Sequence, residues 1–200
     1  MEKVSNSKNG KVLFLIDIQK DFMDGGKLGV DGTIEKFNKL PKYITEHKDE
    51  YSAIFASVDW HPIAHCSFKQ NGGIWPVHCQ QHTEGAAIYQ PIIDAINESG
   101  LDFHIFTKGT NDDREEYSVM RNEESNKKIH TLIDALGITD VDFCGIAGDY
   151  CVKDSIDDFH REFHNIHINA IMPFVASIDG GKTFDEYLDK CDSINRIDKV

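Results

Sequence analysis

Five short runs of apolar and β-branched residues punctuate the chain, at 12–16, 53–58, 103–107, 141–147 and 166–172. Each is nearly continuous in its hydrophobicity rather than alternating. That pattern belongs to strands covered on both faces, as in a parallel sheet. Between the runs, apolar positions recur at helical spacing. A helix is expected over 33–48, kinked or split by Pro41. Others are expected over 91–98, over 126–136 with Gly137 as its C-cap, and over 152–163. In the last, Val152, Ile156, Phe159 and Phe163 fall on one stripe. A polar helix is read near the C-terminus, with Cys191 in it. Strands alternating with helices predict an α/β fold: a three-layer, open, mostly parallel sheet flanked by helices. No repeat or linker divides the chain, so residues 1–200 are read as a single domain.

Two stretches fit neither period. Residues 59–89 are rich in His, Gly, Pro and Cys, and residues 108–121 are strongly charged. Loops that long inside a compact domain tend to be functional. In open α/β sheets, ligands gather outside the carboxyl ends of the strands. The first run ends at Asp17, the second at Asp59-Trp60-His61, the third at Lys108-Gly109 and the fourth at Gly148-Asp149-Tyr150-Cys151. Reactive residue types therefore stand at four strand ends on one rim.

Composition narrows the partners. The chain is 40% hydrophobic and 10% aromatic, enough to fill a core. With 21 basic against 34 acidic residues its formal net charge is −13, which argues against phosphate backbones as partners. No apolar stretch approaches the roughly 20 residues needed to span a bilayer. Residues 1–10 lack the apolar middle of a signal peptide. The expectation is a cytoplasmic protein with a small-molecule ligand, without nucleic-acid or membrane partners, and with room for a homo-oligomer, the commonest assembly of soluble chains. The five cysteines include no C-x-x-C pair, so a disulfide framework is not expected.

Cys151 follows a strand and opens a helix, where unpaired N–H groups and the helix dipole favour a thiolate. A nearby lysine would lower the thiol pKa further, and a carboxylate could take its proton. Lys108 and Asp17 stand at neighbouring strand ends. Backbone N–H groups in the turn 145–151 could form an oxyanion hole. Each residue alone has an ordinary reading, as a structural thiol, a solvated charge or a helix cap; the combination carries the functional one. Cys144, inside an apolar run, is read as inert core.

A second cluster suggests a metal. In an extended segment Asp59 and His61 point the same way, and His78 would supply a third ligand. Two histidines and one carboxylate with open positions suit Zn²⁺, Fe²⁺ or Mn²⁺ in a working role. His65 has three readings: fourth ligand, outer donor or loop residue. Ser67 could contribute through water, and Cys66 and Cys79 are alternative ligands. The remaining histidines, at 82, 104, 130, 160, 164 and 167, are read as surface or core.

The blocks Asp17-Ile18-Gln19-Lys20-Asp21-Phe22, Asp59-Trp60-His61-Pro62, His65-Cys66-Ser67-Phe68, Trp75-Pro76-Val77-His78-Cys79, Lys108-Gly109 and Gly145-Ile146-Ala147-Gly148-Asp149-Tyr150-Cys151-Val152 resemble the nicotinamidases, in the isochorismatase-like cysteine hydrolase superfamily. Their order and spacing agree from about residue 11 to 175. The resemblance implies a six-stranded parallel sheet and hydrolysis of nicotinamide to nicotinate and ammonia, a step of NAD salvage. It implies Cys151 as nucleophile, Asp17 as base and Lys108 as third member of the triad, with one divalent metal, zinc first, on Asp59, His61 and His78. Phe22 and Trp75 would sandwich the pyridine ring, with Tyr150 beside them. The Ile146–Ala147 peptide would be cis, and the Ala147 and Cys151 N–H groups would form the oxyanion hole. Tyr117-Ser118 matches a pocket-lining pair. Gly148 stands where many relatives have Thr, a departure expected to loosen the turn before the nucleophile. Two rival functions share some of these residues. Another small-amide hydrolase would keep the triad without needing Trp75 and the metal. A non-catalytic metal- or thiol-binding module would release no ammonia.

Overall fold

Six parallel strands form one sheet in the order β3-β2-β1-β4-β5-β6 in the computed structural model, which describes residues 10–200. They are β1 (Lys11–Ile16), β2 (Ala53–Asp59), β3 (Asp102–Lys108), β4 (Asp140–Ile146), β5 (His167–Ala176) and β6 (Ile194–Ile197). Along β1, β2 and β4 successive residues are buried, so both faces are covered, as their unbroken apolar runs require. Phe14 pairs in register with Phe55 on one side and Phe143 on the other, and the three rings pack at centroid distances of 5.7 and 5.2 Å. Phe159, from the helix after β4, closes on Phe143 at 5.4 Å. Each such ring, fully buried, contributes about 1.5–3 kcal/mol.

The helices are α1 (Thr33–Phe37), α2 (Leu40–Glu46), α3 (Gln90–Ser99), α4 (Glu123–Leu136), α5 (Lys153–Glu162) and α6 (Lys182–Leu188). The helix expected over 33–48 is indeed split, two residues ahead of Pro41, which then sits in the first turn of α2. Helix α4 starts three residues earlier than its apolar stripe suggests, because the Asn122 side chain accepts from Ser125 N at 3.2 Å. Gly137 caps its end at φ 60°.

Two expectations need correction, and one strand carries no signal in the sequence. The fifth run continues to Ala176 across Pro173: pairing with β4 jumps from Phe143↔Ala170 to Gly145↔Val175, so a bulge absorbs the residue that cannot donate to the ladder. Strand β6 has no apolar run to announce it, since Asn195 and Arg196 interrupt a four-residue edge strand. Cys191 lies outside the last helix, in a turn where its N–H meets Leu188 O at 3.0 Å as the chain bends toward β6. Among the described residues no helix is long and apolar enough to cross a membrane.

Asp142, fully buried on β4, is held by Lys11 Nζ, Tyr51 OH and Asn169 Nδ2, each at 2.7 Å. Tyr51→Phe removes one donor from a buried carboxylate. A loss of about 1.5–3 kcal/mol in equilibrium unfolding is expected, with unchanged turnover per folded molecule.

Candidate active site

The chain runs from β1 outward to β3 and then returns to place β4 against the free side of β1. The carboxyl ends of β1 and β4 thus flank the point where the direction of winding reverses, the position where such sheets bind ligands. Asp17 follows β1 with φ 49°, a backbone region that aspartate tolerates better than most residues. Its Oδ1 accepts from Ser57 Oγ at 2.7 Å. Lys108, the last residue of β3, pairs in register with Asp59, the last of β2. The lysine is completely buried, and its Nζ lies 2.9 Å from Asp17 Oδ2, 2.5 Å from Asp59 Oδ1 and 3.4 Å from Cys151 Sγ. Reactive atoms of Asp17, Asp59 and Cys151 lie within 4.8 Å of one another around that ammonium. The sequence reading paired Lys108 with Asp17 and Cys151. The structure adds Asp59, so one cation serves two carboxylates.

This sharing changes the charge state expected at the thiol. Burial pushes Cys151 well above its ordinary pKa; Lys108 opposes that shift, and Asp17 and Asp59 add to it. The helix start and Lys108 therefore do not outweigh burial at the thiol. Burial also raises Asp17, against the pull of Lys108 and with a push from Asp59. Burial disfavours the Lys108 charge, yet Asp17 and Asp59 outweigh it and hold the lysine well above its usual range. For Asp59, burial is likewise outweighed, first by Lys108, and its carboxyl is held low. Burial thus moves the Cys151 thiol and the Asp17 carboxyl in the same direction.

Asp59, His61 and His78 are buried, with donor atoms within 4.8 Å of one another. His61 Nε2 is 3.4 Å and His78 Nε2 3.9 Å from Asp59 Oδ2. The other ring nitrogens face backbone carbonyls, His61 Nδ1 at 2.9 Å from Gly109 O and His78 Nδ1 at 2.8 Å from Pro76 O. Each Nδ1–H therefore donates outward and leaves Nε2 with a lone pair aimed inward. His61 Nε2 is buried without a hydrogen-bond partner. Such an orphaned lone pair beside a second one and a carboxylate fits a divalent metal. Gln19 clamps the backbone of Asp59 from both sides, with Nε2 to Asp59 O at 2.8 Å and Asp59 N to Oε1 at 2.7 Å.

His65 stands outside this set. Its Nε2 faces Arg114 O at 3.1 Å and so donates, while Nδ1 accepts from Ser67 Oγ at 2.7 Å. No lone pair of the ring remains for an ion, and the Ser67 hydroxyl proton is committed to the same contact. Burial, then His61, lowers the His65 pKa to about 4, so the ring is neutral. It stacks on His61 at 4.0 Å between centroids. Cys66 and Cys79 are also outside the donor cluster. Cys144 is inert core, buried and with its thiol pushed up by that burial.

Cys151, Ala147, Asp59 and His78 line one pocket. Phe22, Leu28, Val30, Trp75, Tyr117 and Tyr150 line it as well. Trp75 Nε1 donates to Tyr117 OH at 3.0 Å and the Trp75 ring meets Tyr150 edge-on at 5.3 Å, which fixes an aromatic wall. The Ile146–Ala147 peptide is cis. Ala147 O accepts from the N–H groups of Tyr150 and Val152, both at 3.0 Å, bypassing Cys151 between them. Residues Gly148–Val152 form a single π turn leading into α5. Gly148 does not loosen it: a Cβ there would stand 2.3 Å from Ser177 Oγ and 2.8 Å from Val175 Cγ1, so the space is already filled.

Sequence reasoning missed four side chains here. Ser57 and Gln19 orient the two aspartates, and only Gln19 lay in a block that drew notice. Glu115 lines the pocket and Glu116 is fully buried behind it. Both sat in a segment that reads as a solvated charge run, where periodicity carries no signal.

The Isochorismatase domain model matches residues 11–169. Nicotinamidase from Escherichia coli (strain K12) is 31% identical over 169 residues, covering 74% of this chain and 75% of that one. The pyrazinamidase of Pyrococcus horikoshii, solved in complex with zinc, superposes with a TM-score of 0.78 at 28% identity, over 95% of this chain and 99% of that one. A protein named PnC1 from L. infantum, solved in complex with nicotinate, gives 0.76 at 26%, over 96% and 94%.

Proposed function

The chain belongs to the isochorismatase family, in its nicotinamidase branch, and from that premise we propose that it hydrolyses nicotinamide to nicotinate and ammonia with Cys151 as the nucleophile. One observation carries the reading: a buried thiol touching Lys108, which is paired with Asp17, lines an aromatic-walled pocket together with Asp59 and His78 of a two-histidine, one-carboxylate cluster.

In this scheme Asp59, His61 and His78 hold one divalent metal, zinc first, with Fe²⁺ or Mn²⁺ suited to the same donors. When bound it supplies a Lewis-acidic anchor for the pyridine nitrogen, a template role. Phe22 and Trp75 hold the faces of the ring, with Tyr150 bracing Trp75, so that the carboxamide carbon lies over the Cys151 sulfur. Asp17 takes the thiol proton while Lys108 balances the negative charge. The thiolate forms a C–S bond to the amide carbon, and the N–H groups of Ala147 and Cys151 receive the oxyanion. Collapse breaks the C–N bond as Asp17 returns the proton to nitrogen, and ammonia leaves. Asp17 then takes a proton from water, whose oxygen displaces sulfur from the thioester. Nicotinate departs and the thiol is restored. A reducing cytoplasm, and a place in NAD salvage, belong to the same proposal.

The test is ammonia release from nicotinamide and from an aliphatic amide, each with and without a strong chelator. Release from nicotinamide alone, lost on chelation and restored by zinc, is expected. Equal release from both amides, or indifference to the chelator, overturns the reading.

A further inference from the structure

The charged segment between Lys108 and α4 has no part in the reaction scheme, yet it buries a carboxylate completely. Glu116 is 0% exposed. Its Oε2 accepts from Gly109 N at 2.8 Å and from Asn122 Nδ2 at 2.9 Å. Its Oε1 has no hydrogen bond and lies 3.4 Å from Arg114 Nε. Burying a carboxylate is costly unless it is hydrogen-bonded or paired, and Glu116 makes its bonds to two groups of its own segment.

What they hold is Gly109, the residue whose carbonyl takes the Nδ1–H of His61 at 2.9 Å. Gly109 has φ +60°, and a Cβ on it would stand 2.3 Å from His61 Cε1. Backbone and imidazole are therefore in close contact, and a small rotation of this turn would swing the ring. The same segment reaches His61 a second time, because Arg114 O fixes the His65 ring that stacks on it. Asn122, which caps α4, also donates to Thr110 Oγ1 at 3.1 Å and ties the segment to that helix.

We propose that Glu116 is a positioning residue of the metal site: it pins Gly109 so that the Gly109 carbonyl engages His61 Nδ1 and leaves His61 Nε2 directed at the space shared with Asp59 and His78. This rests on the reading of those three residues as metal ligands. Groups that orient a ligating histidine this way typically change metal affinity by about 10–100-fold when removed.

The experiment is a Zn²⁺ titration of metal-free protein against a chromophoric chelator, for the wild type, Glu116→Gln, Glu116→Ala and His78→Ala. Circular dichroism of each metal-free variant verifies folding. Expected is a zinc Kd about 100-fold weaker in E116A and about 10-fold weaker in E116Q, which keeps an oxygen for Gly109 N but loses the charge. If E116A does not fold, E116Q decides. Zinc Kd within twofold of wild type in the folded Glu116 variants, while H78A loses the metal, overturns this proposal and leaves the ligand reading standing. Failure of the wild type itself to bind zinc, or an unaffected H78A, overturns both.

Discussion

Cys151→Ala is expected to lower nicotinamide turnover by on the order of 10⁴-fold or more and to leave metal stoichiometry unchanged. The first part follows from the scheme. Without sulfur no thioester forms, and what remains is binding and polarisation by backbone N–H groups. The second part follows from geometry. Cys151 meets Lys108 and stands apart from the His61 and His78 nitrogens, which share their cluster with Asp59. Metal analysis and ammonia release on one preparation separate the two. A variant that kept a tenth of the wild-type rate would remove Cys151 as nucleophile.

Lys108→Met is expected to abolish activity and also to destabilise the metal-free protein by about 3–5 kcal/mol, the usual cost of stripping one partner from a buried ion pair. The side chain is nearly isosteric, so lost packing contributes little. What remains is Asp17 and Asp59, both buried and without their shared cation. The Asp17 carboxyl, already raised by burial, would lose its main opposing charge and sit further above the unfolded value near 3.9. An acid raised on folding binds more protons in the folded state, so stability is lost as pH rises through that interval. The deficit of the variant should therefore be large at neutral pH and shrink on acidification toward pH 4. Urea unfolding at several pH values measures it. A deficit independent of pH would mean that Lys108 matters for volume rather than charge.

The residues that were legible from sequence are those that end apolar runs. Asp17, Asp59, Lys108 and the turn before Cys151 each stop a continuous strand, and a parallel sheet sends all such stops to one edge. Cys144 was legible for the converse reason, since it stands inside a run, between Phe143 and Gly145, rather than at its end. The supporting side chains were not. Ser57 lies inside a strand, where a hydroxyl reads as ordinary β sequence, and Glu116 sits among charges where only burial distinguishes it. Strand β6 escaped because an edge strand with one neighbour needs no unbroken hydrophobicity. The surroundings of Cys151 were only partly legible for a related reason. A lysine near a thiol in sequence space looks like an uncommitted cation, whereas here Asp17 and Asp59 already claim it.

The reversal of strand winding between β1 and β4 also divides the labour of the chain. Every group assigned to gripping the ligand through its ring nitrogen comes before that seam, in the segments after β2. The proposed attacking atom and oxyanion donors come after it, in one turn of a few residues. Asp17 and Lys108 reach across. Inheritance can therefore act on the two halves with some independence. Altering the stretch between β2 and α3 changes what is held while the attack machinery persists, and altering the turn after β4 changes what is done to a ligand still held in the old way. A scaffold so partitioned can diversify its substrates without reinventing its chemistry.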